Sequence, residues 1–232
     1  MAYTASRTTN GFELIGNLLN VTDNGKEYEL TPNTAFSKGD MVVLTNGKVA
    51  KATASAANVL GVMAESITAA DNPVAGITYG KVYDNPFNIY RCSFADQTDS
   101  TATGGTTTTL IDTGLTTSTN DVWNGALLYV YAGTNAGCIR TVTDYVGSSD
   151  TLTFQAMPAA CDTTSKYIIL GFASKAGDVI NVGTVGVDLK DENTIDANAT
   201  VDGEKGPLVA LSINPANLTM DVVVRKHRFN GI

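Results

Sequence analysis

Residues 36–67 read FSKGDMVVLTNGKVAKATASAANVLGVMAESI, and the fold turns on this stretch. The apolar run Met41-Val42-Val43-Leu44 ends at Asn46-Gly47, and Val49 begins a run back. Asn-Gly adopts the positive φ angles of a type I′ turn, whose twist matches the strands it joins, so the segment predicts a β-hairpin. An alanine-rich loop, with at most one helical turn near residues 54–58, leads into a third strand at Val59-Leu60-Gly61-Val62-Met63.

Working outward, short apolar runs at 74–77, 81–83 and 89–92 continue the meander. Towards the N-terminus, residues 1–20 hold no lasting period and read as an extended arm. Beyond residue 94 the text changes to DQTDSTATGGTTTT, a polar low-complexity stretch with little to bury, expected to be a linker or exposed turn. Five strand-length runs follow, at 107–110, 126–131, 139–143, 151–154 and 167–170, separated by turn residues as in a small sandwich or barrel. Lys175-Ala176-Gly177-Asp178-Val179-Ile180 then echoes the Lys38-Gly39-Asp40 pattern, and runs at 208–213 and 219–224 flank an Asn214-Pro215 turn. Pairing of these last runs with the first segment would give an N-terminal arm (1–20), a discontinuous β-barrel or sandwich domain (21–94 and 173–232) and an inserted second β module (95–172). Insertions are tolerated at exposed loop tips, where few backbone hydrogen bonds are disturbed.

Composition agrees with an all-β chain. Charged residues are 16% of the 232, against roughly 25% in an average domain, and 32 threonines stand beside 22 glycines. β-Branched side chains lose rotamer freedom in helices and suit pleated strands, while glycine supplies turns. The formal net charge of −8 repels phosphate backbones and disfavours direct nucleic-acid binding. No apolar run is long enough to span a bilayer, and the first residues lack the charged-then-apolar layout of a secretion signal, so folding in a cytoplasm is expected, with no membrane partner. Cys92, Cys138 and Cys161 are an odd number at wide spacings, which reads as buried free thiols rather than a disulfide framework or a metal site.

Catalytic constellations do not assemble from the text, and no catalytic residue, cofactor or metal is assigned. The single histidine, His227, lies in Arg225-Lys226-His227-Arg228 without a neighbouring carboxylate, and reads as a polar residue ending an exposed last strand. The spacings of serine-hydrolase elbows, zinc helices and phosphate loops are missing. A pair of carboxylates could still serve a polysaccharide hydrolase, and Asp188, Asp191, Glu192, Asp196 and Asp202 could offer calcium oxygens or simply form a solvated loop.

Surfaces for binding are better represented. Trp123, Tyr129 and Tyr131, with Tyr145, would stack on a sugar if they shared an exposed face, or fill the core of the inserted module if they did not. Arg225, Lys226 and Arg228 form a basic end that could dock on an acidic protein neighbour. Phe12, Leu14 and Ile15 of the arm could add to a neighbour's sheet edge, where backbone hydrogen bonds give affinity without an elaborate motif.

The arrangement of residues 36–52 and 59–67, a GD-led strand, a glycine turn and an LGV strand, resembles the β module of capsid decoration, or cement, proteins of tailed double-stranded DNA bacteriophages. The middle segment, with its words WNG (123–125), GTNAG (133–137) and TDY (143–145), is similar to a module of phage virion proteins. The resemblance implies a structural role on the outer capsid surface, as trimers bridging major capsid proteins. It leaves a head fibre or receptor-binding protein, gripping a glycan with the inserted module, as the alternative.

Overall fold

A computed structural model describes residues 11–54, 56–94, 98–170, 185–187, 189, 191–195, 206–214, 217 and 219–228, and the described residues form three sheets with no helix. In chain order the first strands are β1 (Glu13–Asn17), β2 (Lys26–Glu29), β3 (Met41–Thr45), β4 (Lys48–Lys51), β5 (Gly61–Met63), β6 (Tyr79–Tyr83) and β7 (Asn88–Phe94). The middle of the chain supplies β8 (Thr98–Thr101), β9 (Gly104–Gly105), β10 (Thr109–Ile111), β11 (Leu127–Ala132), β12 (Ile139–Val146), β13 (Thr151–Phe154) and β14 (Lys166–Leu170). Last come β15 (Val185–Val187), β16 (Thr194–Ile195), β17 (Leu208–Asn214) and β18 (Thr219–Val224).

The five-stranded sheet, in the order β2-β6-β5-β3-β4, contains the hairpin expected from Asn46-Gly47. Both turn residues have positive φ, 51° and 81°, and Thr45 pairs with Lys48 across them. The sheet curls until Leu30, just past β2, bridges Val49 of β4, closing most of a small barrel. Leu30, Phe36, Val42, Val49, Leu60, Met63 and Val82 fill it. The run at 74–77 is no strand; Val74 and Ile77 are exposed on a loop, where no neighbouring strand offers them a pairing edge.

The seven-stranded sheet runs β8-β14-β11-β12-β13-β10-β9 and is drawn entirely from residues 98–170. Its two end strands are separated only by Ala102 and Thr103, so one bent segment pairs with β14 at its start and with β10 at its end, and through it the path of the sheet closes on itself. The low-complexity stretch, expected to be a linker or exposed turn, supplies two strands together with the exposed turn at residues 106–108 between β9 and β10. Threonine suits the pleated backbone, and threonine hydroxyls satisfy one another and the turn, as where the Thr106 and Thr109 hydroxyls meet at 2.9 Å. Gly105, at φ 149°, is needed where a Cβ would stand 2.3 Å from the Thr109 carbonyl.

The six-stranded sheet joins chain ends: β1-β7-β18-β17-β15, with β16 parallel on β7. Residues 13–17, expected to belong to a free arm, are therefore an edge strand paired with β7 from Glu13↔Arg91 to Asn17↔Asn88. A bulge between Leu14 and Gly16 interrupts the pairing, which explains why no period of two persists in the sequence.

Alternation on β11 and β14 ties the closed sheet to the rest. Leu128, Val130, Tyr167 and Ile169 point into its own core, while Leu127, Tyr129, Tyr131 and Ile168 pack against the core of the six-stranded sheet. Each fully buried leucine of this kind stabilises by about 1.5–3 kcal/mol.

Candidate interaction surface

One edge of β1 pairs with β7, and among the described residues no strand pairs with the other. The chain leaves β1 through a turn fixed by asparagines. The Leu19 amide donates to Asn17 Oδ1 at 2.8 Å, Asn17 Nδ2 donates to Asn88 Oδ1 at 2.9 Å, and Asn20 takes a φ of 55°. Asparagine tolerates that left-handed conformation better than most side chains. The Leu18 amide then reaches the Phe87 carbonyl at 2.9 Å.

This geometry holds Leu18 next to Phe87 while leaving Leu18, Leu19 and Phe87 54%, 59% and 43% exposed, and Ile15 (40%) and Val21 (49%), near them in sequence, are exposed as well. Isolated exposed leucines need no explanation, but five exposed large apolar side chains on and around β1, whose outer edge is paired by no strand among the described residues, form a surface suited to association. Beneath it, the Asn88 amide donates to Asp23 Oδ2 at 2.7 Å and to the Tyr90 hydroxyl at 3.0 Å. The Tyr90 hydroxyl donates in turn to the Tyr83 carbonyl, and burial pushes its pKa up. The support is rigid and fully hydrogen-bonded at these atoms.

Of the three arm residues expected at an interface, Ile15 alone is exposed. Phe12 is 2% exposed and belongs to the core, because its amide donates to the Gly39 carbonyl and turns the ring inward. Leu14 packs partly against the same core. Leu18, Leu19, Val21 and Phe87 were not singled out by sequence reasoning; the adjacent leucines flanked by Asn17 and Asn20 are the signal that could have revealed them.

The aromatic residues do not form an exposed ligand face. Trp123 lies in the core of the closed sheet, its ring edge-on to Tyr145 with centroids 6.2 Å apart. Tyr129 and Tyr131 point to the opposite side, half-buried against the neighbouring core, and the Tyr131 hydroxyl donates to Asp99 at 2.9 Å. Trp123 enters the core from the turn before β11, whereas Tyr129 and Tyr131 share with Leu127 the face of β11 that looks away from that core.

The basic end is held by backbone pairing. The Arg225 and Lys226 amides both donate to the Pro207 carbonyl, and the Arg228 amide donates to Val59, so Arg225 and Arg228 project from the surface while Lys226 is half-buried. His227, between them, is buried and bridges Val59, contrary to the exposed position expected for it. The long-range pairing, invisible in the local text, draws it in.

An open cleft of about 890 Å³ lies between β1, the 37–39 turn and β16. Phe12, Leu14 and Met63 give it an apolar wall, and Glu13 and Lys38 are its charged lining residues. Of the acidic loop, Asp191 accepts the amides of Asn193 and Thr194, and Glu192 shares Lys51 with the buried Asp40, at 3.0 Å each. Asp188, Asp196 and Asp202, like the 175–180 echo, lie outside the described residues. Among the described residues no group of three His, Cys, Asp or Glu could hold a metal ion.

The architecture and its surface define an all-β protein with a candidate association face. Comparison with family models, with curated proteins and with solved structures returned no match.

Proposed function

We propose that the protein is a virion structural subunit that binds the outer surface of a tailed-phage capsid, as a trimer, and stabilises the lattice of major capsid proteins. The observation that carries this reading is the exposure of the apolar residues Ile15, Leu18, Leu19, Val21 and Phe87 on and around β1, whose outer edge is paired by no strand among the described residues. Apolar side chains give a protein partner area to bury, and an edge unpaired by any described strand gives it backbone donors and acceptors. The decoration-protein resemblance of residues 36–67 supports the same role. Individual contacts can be weak, since an oligomer on a repeating lattice binds through several at once.

The test is co-sedimentation of the purified protein with capsids stripped of it. Wild type is expected to pellet with the particles, and the Leu18→Asp/Leu19→Asp double variant to lose binding while keeping its circular dichroism spectrum and melting temperature. Point changes are required, because deleting residues 1–20 would remove Phe12 from the core. Retained binding by a folded double variant would overturn this assignment of the surface.

A further inference from the structure

Two of the three cysteines pack on the core of the closed sheet and are tied through one residue, Asn135. Tyr129 of β11 pairs with Ile139 of β12, and one step further the Val130 amide donates to the Cys138 carbonyl at 2.9 Å. Cys138 is therefore directly across from Val130, and directly opposed residues on antiparallel strands direct their side chains to the same face. Val130 is a core residue of the sheet, and Cys138 packs against that core. Cys161 enters the same core from the loop after β13 and is 3% exposed.

Asn135 links the two. The Cys138 amide donates to its carbonyl at 3.0 Å, and its side-chain amide donates to the Ala159 carbonyl at 2.9 Å and to Cys161 Sγ at 3.7 Å. The Ala159 amide returns to Asn135 Oδ1 at 3.0 Å. One residue thus fixes the hairpin turn carrying Cys138 against the loop carrying Cys161. Cys92 is remote from both, buried in the six-stranded sheet with its thiol donating to the Met220 carbonyl.

We propose that Cys138 and Cys161 are an oxidisable pair that forms a disulfide in the folded protein when it meets a small-molecule disulfide such as oxidised glutathione. The half-exposed Cys138 thiolate attacks one sulfur of the oxidant, releasing one glutathione thiolate and leaving a mixed disulfide. The Cys161 thiolate then attacks the Cys138 sulfur and expels the second glutathione. Two protein thiols are oxidised, one glutathione disulfide is reduced to two thiols, and the two protons go to solvent or to the leaving thiolates. Burial pushes the Cys161 thiol up, which makes the second step the slow one at neutral pH. A reducing cytoplasm keeps the pair open, and an oxidising exterior closes it. The bond would tie the turn between β11 and β12 to the loop leading to β14, locking one end of the closed sheet.

The experiment incubates the native full-length chain with oxidised glutathione, traps remaining thiols with iodoacetamide and maps peptides by mass spectrometry. The expected result is one titratable thiol remaining from three, a Cys138–Cys161 linked peptide, and a melting temperature raised on the order of 5–10 °C that dithiothreitol reverses. The Cys92→Ser variant should show the same linked peptide and no free thiol. Three free thiols after incubation, a glutathione adduct that persists on Cys138, or a linkage involving Cys92 in the native protein would each overturn the proposal. The measurement is made on the chain alone, so it succeeds or fails independently of capsid binding.

Discussion

Arg91 holds Asp221 with two hydrogen bonds, Nε to Oδ1 at 2.8 Å and Nη2 to Oδ2 at 3.1 Å, joining β7 to β18 across 130 residues of sequence. Ser212 donates to the same carboxylate from β17 at 2.7 Å, so three adjacent strands share one anion. The strands so joined lie on either side of the middle segment in sequence.

These bonds hold the Asp221 carboxyl below the usual carboxylate range, with the Arg91 hydrogen bond as the largest cause. A depressed folded pKa contributes stability that is present above the unfolded value and disappears as pH falls through the folded one. Asp221→Asn should cost about 1 kcal/mol at pH 7, since the pair is partly exposed and screened. Urea denaturation should show the difference from wild type narrowing below pH 3.8, the ordinary value for the group.

His227 should make the fold acid-sensitive at milder pH. Burial, the largest cause, lowers its pKa below 6.5 against the opposing influence of hydrogen bonds to the Leu60 and Asp84 backbone and of the Asp84 carboxylate. The unfolded chain then binds a proton more readily than the folded one, so stability falls as pH drops from 6.5 through the lowered folded value. In urea titrations at pH 7.5 and 5.5, wild type should lose stability over this interval, and His227→Gln should flatten that part of the profile.

Trp123→Ala should act on stability and not on recognition. Removing a large ring from a packed core costs about 3–5 kcal/mol through lost burial and the cavity left behind. Thermal denaturation should show the loss, and a glycan array should give the same response for wild type and for the milder Trp123→Phe variant.

Tyr167→Phe tests a buried polar contact inside the closed sheet. The Tyr167 hydroxyl donates to Asp112 Oδ2 at 2.7 Å, and Oδ1 of the same carboxylate accepts the Gly114 amide at 2.7 Å. Loss of the hydroxyl leaves Oδ2 buried without that donor, for a cost of about 1–3 kcal/mol. Chemical denaturation should report it, with the double variant Tyr167→Phe/Asp112→Ala losing less than the sum of the two single changes.

Local chemistry made much of the fold legible. Asn46-Gly47 announces its turn, and runs at 151–154 and 219–224 coincide with β13 and β18 because their apolar residues alternate or persist between clear turn residues. What escaped depends on distant partners. β1 looks like an arm because its bulge breaks the alternation, and His227 looks exposed because the bridge to Val59 is written nowhere near it. Strands β8, with two threonines, and β9, a pair of glycines, resemble a linker because their partners, not their own apolar content, fix them. For the candidate surface, the apolar residue types were visible, but which of Phe12, Leu14, Ile15, Leu18 and Leu19 faces outward depends on a turn whose anchors include Asn88.

Thr98, where the closed sheet begins, is paired with Ile169, near where it ends. Neighbouring strands stand only about 4.8 Å apart, so the whole segment could be cut out and its stumps rejoined by a few residues. The exchange has a condition. Leu127, Tyr129, Tyr131 and Ile168 would leave with it and bare greasy ground on what stays behind, so any replacement graft must arrive with a matching oily flank of its own.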